Sequence, residues 1–591
     1  MKTLRELCRM PIALNGPALA MLLVVFGIPI VQLFLTSLNA PAFSTSNYSA
    51  FFSQPANIRV LFQTLKISLI ATAICLFIGY PSAYLIVAAS KRVRIALIVL
   101  VLVPYLTSSL VRTYAWIVIL GDGGLVNNLL LECGLISSPL PLIYNRFAVY
   151  IGMVHIMLPM MVLPLVSVMM GVDRSLMTAA CSMGARPSTA FWRVFFPLSM
   201  PGVRSGCLLV FVICLGFYIT PAALGGLGDA MLSTFIAAQV RSSFDIGRVA
   251  TSAFVLLAVT IVMLSVVGLD LSGSSRRKVQ PLLKSWSPLV PSLGIIKRYV
   301  GELFIAYRAK RWMALLYRAG GESRWPQLVS KIFLTLVLFY LLFPELLVAV
   351  MSFSAGKYLE FPPSGFSLQW YWSFFGDPSW YAAAWTSIRI GFIVVILSTI
   401  IGTLAAFGLN RSLPRPRSFM TMAMLTPITI PVIVVGIATY LGLANLGLLG
   451  STTGIVLAHS IGAIGYVVVI VSASLANFDP LLEQAAMSMR AGPLQTFNRV
   501  TLPLIRPGVI GGALFAFLHS FDEVVITSLV AGMSMRTLPL KMWEDIRHQI
   551  DPTIAAVATL LILLPVFTLV ILVVSGWRST LSFVAGPAPA D

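Results

Sequence analysis

Asp522 and Glu523 stand side by side inside an apolar stretch, FLHSFDEVVITSLVAG (517–532). Ionised groups are costly in such surroundings, and adjacent carboxylates there are candidates for holding a cation by Coulomb attraction, which a low dielectric strengthens. Arg112 and Glu345 are two further charges within apolar runs. Each also has a structural use, as half of an ion pair or as a side chain that snorkels to an interface. Tyr105, Tyr114, Trp116, Phe217 and Tyr218 supply rings whose faces attract a cationic chain, and which otherwise serve as core or belt residues. Asp522, Glu523, Arg112 and Tyr218 form the candidate substrate path. His155, His459 and His519 fall within apolar runs without metal-ligand spacing, and read as packed or hydrogen-bonded side chains. The six cysteines, Cys8, Cys75, Cys133, Cys181, Cys207 and Cys214, form no CxxC pair and suggest neither a disulfide framework nor a metal site. No GxxxxGK[ST], HExxH or GxSxG pattern occurs. A non-enzyme is expected, with no catalytic residue, metal or cofactor.

These charges need elements that can carry them through an apolar phase. Of 591 residues, 58% are hydrophobic and 10% charged. A spanning helix needs about 20 mostly apolar residues, and only helices or closed barrels satisfy their backbone in lipid. The apolar runs are continuous and lack strand alternation, so an all-α integral membrane protein is expected. The predicted spans are 16–38, 61–89, 95–120, 147–171, 204–224 and 250–271, then 331–353, 383–409, 418–443, 452–476, 508–530 and 555–577, about 12 transmembrane helices in two six-helix halves. The first run is too long for a signal peptide and is read as an uncleaved helix.

The net charge of +20 reads as positive-inside bias rather than nucleic-acid binding, for which no motif is present. Lys2, Arg5 and Arg9, then Lys91, Arg92 and Arg94, then Arg411, Arg415 and Arg417 place both termini in the cytoplasm. Loop 531–552 on the other side is a near-neutral mixture. Between the halves, residues 272–329 form a basic cytoplasmic linker. Its stretch 295–320 mixes basic residues with Trp, Tyr and Leu, a composition suited to the anionic lipid surface. The expected domains are therefore 1–271, the linker, and 330–591.

The halves repeat. Residues 179–203 (AACSMGARPSTAFWRVFFPLSMPGV) and 485–509 (AAMSMRAGPLQTFNRVTLPLIRPGV) are identical at 14 of 25 positions at a constant offset of 306. Tandem helical domains imply a pseudo-two-fold assembly with a pathway between them. A short helix after the Ala-Ala pair, stopped by proline at the segment's end, is the expected local structure.

This repeat resembles the EAA loop of ABC importer permeases, written E-A-A, three residues, Gly, nine residues, then I-x-L-P. Ala179, Ala180, Gly184, Arg193 and Pro197 match in the first copy (loop 176–203). Ala485, Ala486, Arg499 and Pro503 match in the second (loop 482–509). The usual Glu is Thr178 in one copy and Gln484 in the other, which follows Glu483, and the usual Gly is Arg490 in the second. The halves are also similar to the two permease subunits of spermidine/putrescine-type importers, through LVPYLTSSLVRTYAWIVIL (102–120) with GLVNNLL (124–130), and through 517–532 with MRTLPLKMWEDIR (535–547).

The resemblance implies a type I ABC importer permease fold in a bacterial inner membrane. It also implies coupling loops that dock a separate cytoplasmic ABC ATPase dimer, a soluble or periplasmic binding protein, and alternating access. Arg193 and Arg499 are expected to make the loops' polar contacts. The expected cargo is a polyamine; ferric iron and 2-aminoethylphosphonate are alternatives within the class. An ion-coupled secondary transporter fits the helix number but leaves the repeated loops unexplained.

Overall fold

The computed structural model describes residues 13–242, 245–267, 324–356, 361–532, 535–548 and 551–574. Every regular element among them is a helix. Lys2, Arg5, Arg9 and the basic stretch 295–320 lie outside the described residues.

Among the described residues ten helices are long and apolar enough to cross a bilayer, and the bent pair Pro414–Thr429 and Val432–Asn445, counted as one span, is an eleventh. The twelfth expected span corresponds to the shorter apolar helix Thr553–Phe567. Large apolar side chains point outward along these helices: Phe77 is 71% exposed and Ile396 60%. Water would penalise such a surface and acyl chains would not. The chain is a multi-pass membrane protein.

The halves share one helical plan. Each second span is a helix of 34 residues that begins at a proline, Pro55–Ala88 and Pro378–Arg411. Proline's fixed φ and missing N–H suit that first position. Each fourth span is a helix of 25 residues, Arg146–Met170 and Thr452–Ala476. Second and fourth spans approach closely at glycine. A Cβ on Gly79 would lie 2.9 Å from Met161, and one on Gly402 2.7 Å from Val467. Small residues at a crossing allow this approach, which supplies packing where lipid gives no hydrophobic drive.

First and last helices are exchanged across the seam. Ala13–Ser37 packs on Val432–Asn445 of the second half and on Ile246–Val267. Arg324–Met351 packs on Lys91–Leu106 and Ser109–Leu120 of the first half and on Thr553–Val574.

Two expectations are corrected. The third and fifth spans of each half are interrupted rather than continuous. The third breaks at Thr107–Ser108 and at Ile430–Pro431, the latter with a bend of 101°. The fifth breaks after Leu215 and after Asp522, before the short helices Ile219–Leu224 and Val525–Val530. Pro104 and Pro427 lie in the last turn before the third-span breaks, where the ring disfavours a regular continuation. Second, the prolines of the repeated loop stop nothing. Pro197 and Pro503 lie inside the continuous helices Pro187–Leu215 and Pro493–Asp522. Wide π-type turns at Phe191–Phe195 and Phe497–Thr501 precede them and absorb the missing N–H.

Candidate functional site

The broken spans meet at the seam around a cavity of about 560 Å³. Its wall takes residues from both halves, among them Tyr105, Arg112, Gly216, Pro431, Asp522 and Glu523.

Asp522 ends helix Leu502–Asp522, and its carboxylate reaches across the seam to the start of Ser109–Leu120. It accepts hydrogen bonds from the Ser108 hydroxyl, from Ser109 N–H (3.3 Å) and from Ser109 Oγ (3.4 Å). Ser108 also caps this helix by accepting from Leu110 N–H at 3.3 Å. The carboxylate therefore faces the positive end of a helix dipole, where an anion is favoured.

Arg112, 4% exposed, serves the opposite end of the same break. Its guanidinium donates to the Thr107 carbonyl at 3.2 Å and to the Ile156 carbonyl at 3.4 Å. Thr107 Oγ1 stands 2.9 Å from Glu345 Oε1, which brings the seventh span into the network. A cation on the Thr107 carbonyl and an anion on the Ser109 N–H together satisfy a helix interruption that would otherwise expose bare backbone.

Glu523 is 8% exposed and accepts from Ile526 N–H at 2.9 Å, which anchors the short helix after the fifth-span break. His459 holds the same region, with its ring nitrogens 2.9 Å from Ser520 Oγ and 2.9 Å from Thr527 Oγ1. Thr527 donates its one hydroxyl hydrogen to the Glu523 carbonyl at 2.7 Å. His459 Nε2 is thereby the donor to Thr527, and Nδ1 accepts from Ser520.

Tyr105, Phe217 and Tyr218 join Asp522, Glu523 and Arg112 at the cavity wall. Tyr114 and Trp116 do not. Tyr114 is fully buried, and Trp116 packs against His155 and Tyr340 with ring centroids 5.7 and 5.6 Å away. Glu345 acts through Thr107 from behind the wall. His155 donates to the Leu341 carbonyl at 3.1 Å, as a hydrogen-bonded histidine should, whereas His519, 5.2 Å from the Tyr466 ring, lines the cavity beside it. Sequence reasoning missed Ser108 and Ser109. Their position after Pro104 and before an apolar helix was a readable cap signal. It also missed Gly216 and Pro431, which carry no polar chemistry to notice.

Neither repeated loop, 176–203 or 482–509, contributes a residue to this cavity wall. Each forms a short helix, Arg174–Ser182 and Leu481–Ser488, a left-handed residue, then the long fifth helix. Gly184 and Arg490 occupy the left-handed position with φ of +86° and +63°. Ala179, Gln484 and Ala485 are exposed, Ala180 is buried and Ala486 half-buried. Arg193 and Arg499 lie on the wide turns with exposed side chains, and neither forms an ion pair among the described residues.

Comparison with known proteins gives matches in both halves. The family described as binding-protein-dependent transport system inner membrane component matches residues 76–272 and 398–577. The chain is 38% identical over 202 residues to the spermidine/putrescine transport system permease protein PotB of Haemophilus influenzae, covering 34% of this chain and 69% of that protein. It is 36% identical over 203 residues to PotB of Escherichia coli, covering 34% and 74%. It is 32% identical over 230 residues to the putrescine transport system permease protein PotI of Escherichia coli, covering 38% and 82%.

Proposed function

Because this chain belongs to the family of binding-protein-dependent transport system inner membrane components, we propose that it supplies both permease domains of a polyamine importer, residues 1–271 and 330–591, joined by the cytoplasmic linker 272–329. Both termini face the cytoplasm of a bacterial cell. A soluble binding protein delivers cargo on the outer side. A cytoplasmic ATPase dimer docks on loops 176–203 and 482–509, with Ala179, Ala180, Gly184, Arg193, Pro197, Gln484, Ala485, Ala486, Arg499 and Pro503 in the coupling surface. Closure of the ATPase rocks the halves about the cavity, so that cargo is exposed first to one side and then to the other.

One observation carries the cargo assignment. Asp522 lies at the seam, lines the cavity and accepts from hydroxyl and N–H donors, with Arg112 on the same wall near enough to interact electrostatically but in no ion pair with it among the described residues. An ammonium group that reached it would gain a direct charge partner that Arg112, on the same wall, does not occupy as an ion pair. Glu523, Tyr105 and Tyr218 extend that wall for the remainder of a polycation. The spermidine/putrescine and putrescine names of the relatives point the same way.

The test is uptake of labelled putrescine and spermidine by cells carrying this chain with its ATPase and binding protein, against cells lacking only this chain. Asp522→Asn should lower uptake about tenfold or more, the scale of one charge-assisted contact. Chain-dependent uptake that is unchanged in Asp522→Asn would remove Asp522 from the path. No polyamine uptake, with the ATPase still co-purifying, would move the cargo to another small solute.

A further inference from the structure

The two coupling helices are fastened to their own second spans by different chemistry. In the second half, Glu483 points inward from helix Leu481–Ser488 and is 9% exposed. Its carboxylate accepts from the guanidinium of Arg411, the last residue of Pro378–Arg411, and from the hydroxyl of Thr501 on the wide turn. Arg411 lies over the Phe407 ring at 3.4 Å, and Phe407 meets Phe497 edge-on at 4.9 Å. One carboxylate thus joins three elements: the coupling helix, the second span and the start of the fifth.

With the second spans aligned at their first residues, Pro55 and Pro378, and the loops by their repeat, the first-half positions matching Arg411, Glu483 and Thr501 hold Ala88, Met177 and Phe195. All three polar groups are replaced together. Tyr84, matching Phe407, packs edge-on against Phe191 at 5.5 Å and Phe195 at 5.3 Å. Arg174 donates to the Val87 carbonyl at 2.5 Å. An aromatic cluster joins the second span to the start of the fifth there, and Arg174 ties the coupling helix Arg174–Ser182 to the second span.

We propose that Glu483 is a positioning residue: it fastens the second coupling helix to Pro378–Arg411, so that a push on loop 482–509 moves that span. This rests on the reading of the loops as ATPase docking sites. Glu483 is turned away from the surface where a partner would sit, whereas its neighbour Gln484 is exposed. A buried carboxylate held between a half-exposed guanidinium and a buried hydroxyl keeps one position while both partners are present, and loses its anchor when one is removed. The second arm therefore transmits through a carboxylate clamp, and the first through packed rings and the Arg174 hydrogen bond to the Val87 carbonyl.

The experiment uses the complete importer, chain with ATPase and binding protein, in proteoliposomes, and counts cargo delivered per ATP hydrolysed. Glu483→Gln keeps the shape and removes the charge. It is expected to retain the ATPase and to hydrolyse ATP, while cargo per ATP falls about tenfold, the scale of a lost charge-assisted hydrogen bond. The quadruple variant Arg411→Ala, Pro480→Arg, Glu483→Met, Thr501→Phe installs the first half's residues, the match of Arg174 included, and should restore the ratio. A Glu483→Gln importer with the unaltered ratio overturns the proposal, as does a quadruple variant that stays uncoupled with an unchanged thermal transition. Failure of the unaltered chain to retain the ATPase would instead sink the docking reading.

Discussion

Around the central cavity, the same backbone event occurs twice with opposite chemistry. At one crossing Asp522 meets Ser108 and Ser109. At the matching crossing the positions of Asp522 and Ser108 hold Gly216 and Pro431. A Cβ on Gly216 would lie 2.7 Å from Pro431 Cβ and 2.9 Å from its Cα. One crossing is a polar contact that offers charge to the cavity; the other is a backbone-close apolar contact that offers none. Arg112 and Glu345 belong to the polar crossing, and Val435 matches Arg112 at the apolar one. A duplicated scaffold can thus keep its geometry while the charge is lodged in one copy. A site for an asymmetric or elongated cargo needs nothing more from the repeat.

The comparison is open to attack at three places. Gly216→Ala should cost the most, roughly 1–3 kcal/mol, because the methyl meets Pro431 backbone that has no room to yield. Thermal unfolding in detergent reads this, and an unchanged transition would show that the apolar crossing is not tight.

Next is the start of the second spans, where Asp377 accepts from Ser379 N–H at 2.7 Å while the matching Gln54 makes no side-chain cap. Asp377→Ala should cost about 1 kcal/mol, the usual worth of a cap, and Gln54→Asp should gain a similar or smaller amount. That N–H holds the Asp377 carboxyl below its ordinary value. A depressed carboxyl contributes stability above its unfolded pKa, near 4, and loses it as pH falls through the folded value. The deficit of Asp377→Ala should therefore shrink in acid, where the neutral carboxyl still accepts through its C=O oxygen; a deficit that does not change with pH would show that the charge adds nothing to the cap.

The smallest effect is expected at Arg490, whose left-handed φ of +63° is filled by Gly184 in the first half. Arg490→Gly relieves roughly 1–2 kcal/mol of local crowding and returns roughly 0.5–1 as unfolded-state freedom, a net gain of about 0.5 kcal/mol. A loss on the same thermal scan would mean that the Arg490 side chain itself holds the loop.

Much of this was readable from residue order. Long apolar runs specify spanning helices because lipid leaves the backbone no other way to satisfy its polar groups. The repeat at 179–203 and 485–509 exposed the duplication, and charges stranded in apolar runs marked Asp522, Glu523, Arg112 and Glu345. The breaks within the third and fifth spans were not read, although Pro104, Ser108, Pro427 and Pro431 were in view. A proline within an apolar run is compatible with either a kink or an interruption, and partners from other helices decide which.

Periodicity and charge, then, determined from the sequence alone that the chain spans a membrane as two related helical halves. They also determined that the acidic pair belongs to one half. Which helix of one half lies against the other was decided only by tertiary structure. So was the meeting of Asp522 with Ser108, 414 residues apart. The same holds for the inward turn of Glu483, which its neighbours in sequence do not distinguish from an exposed glutamate. Local sequence fixes which residues share a helix face. Partners hundreds of residues away are chosen by close packing and by the need to satisfy every buried polar group, and those conditions exist only once the halves are assembled.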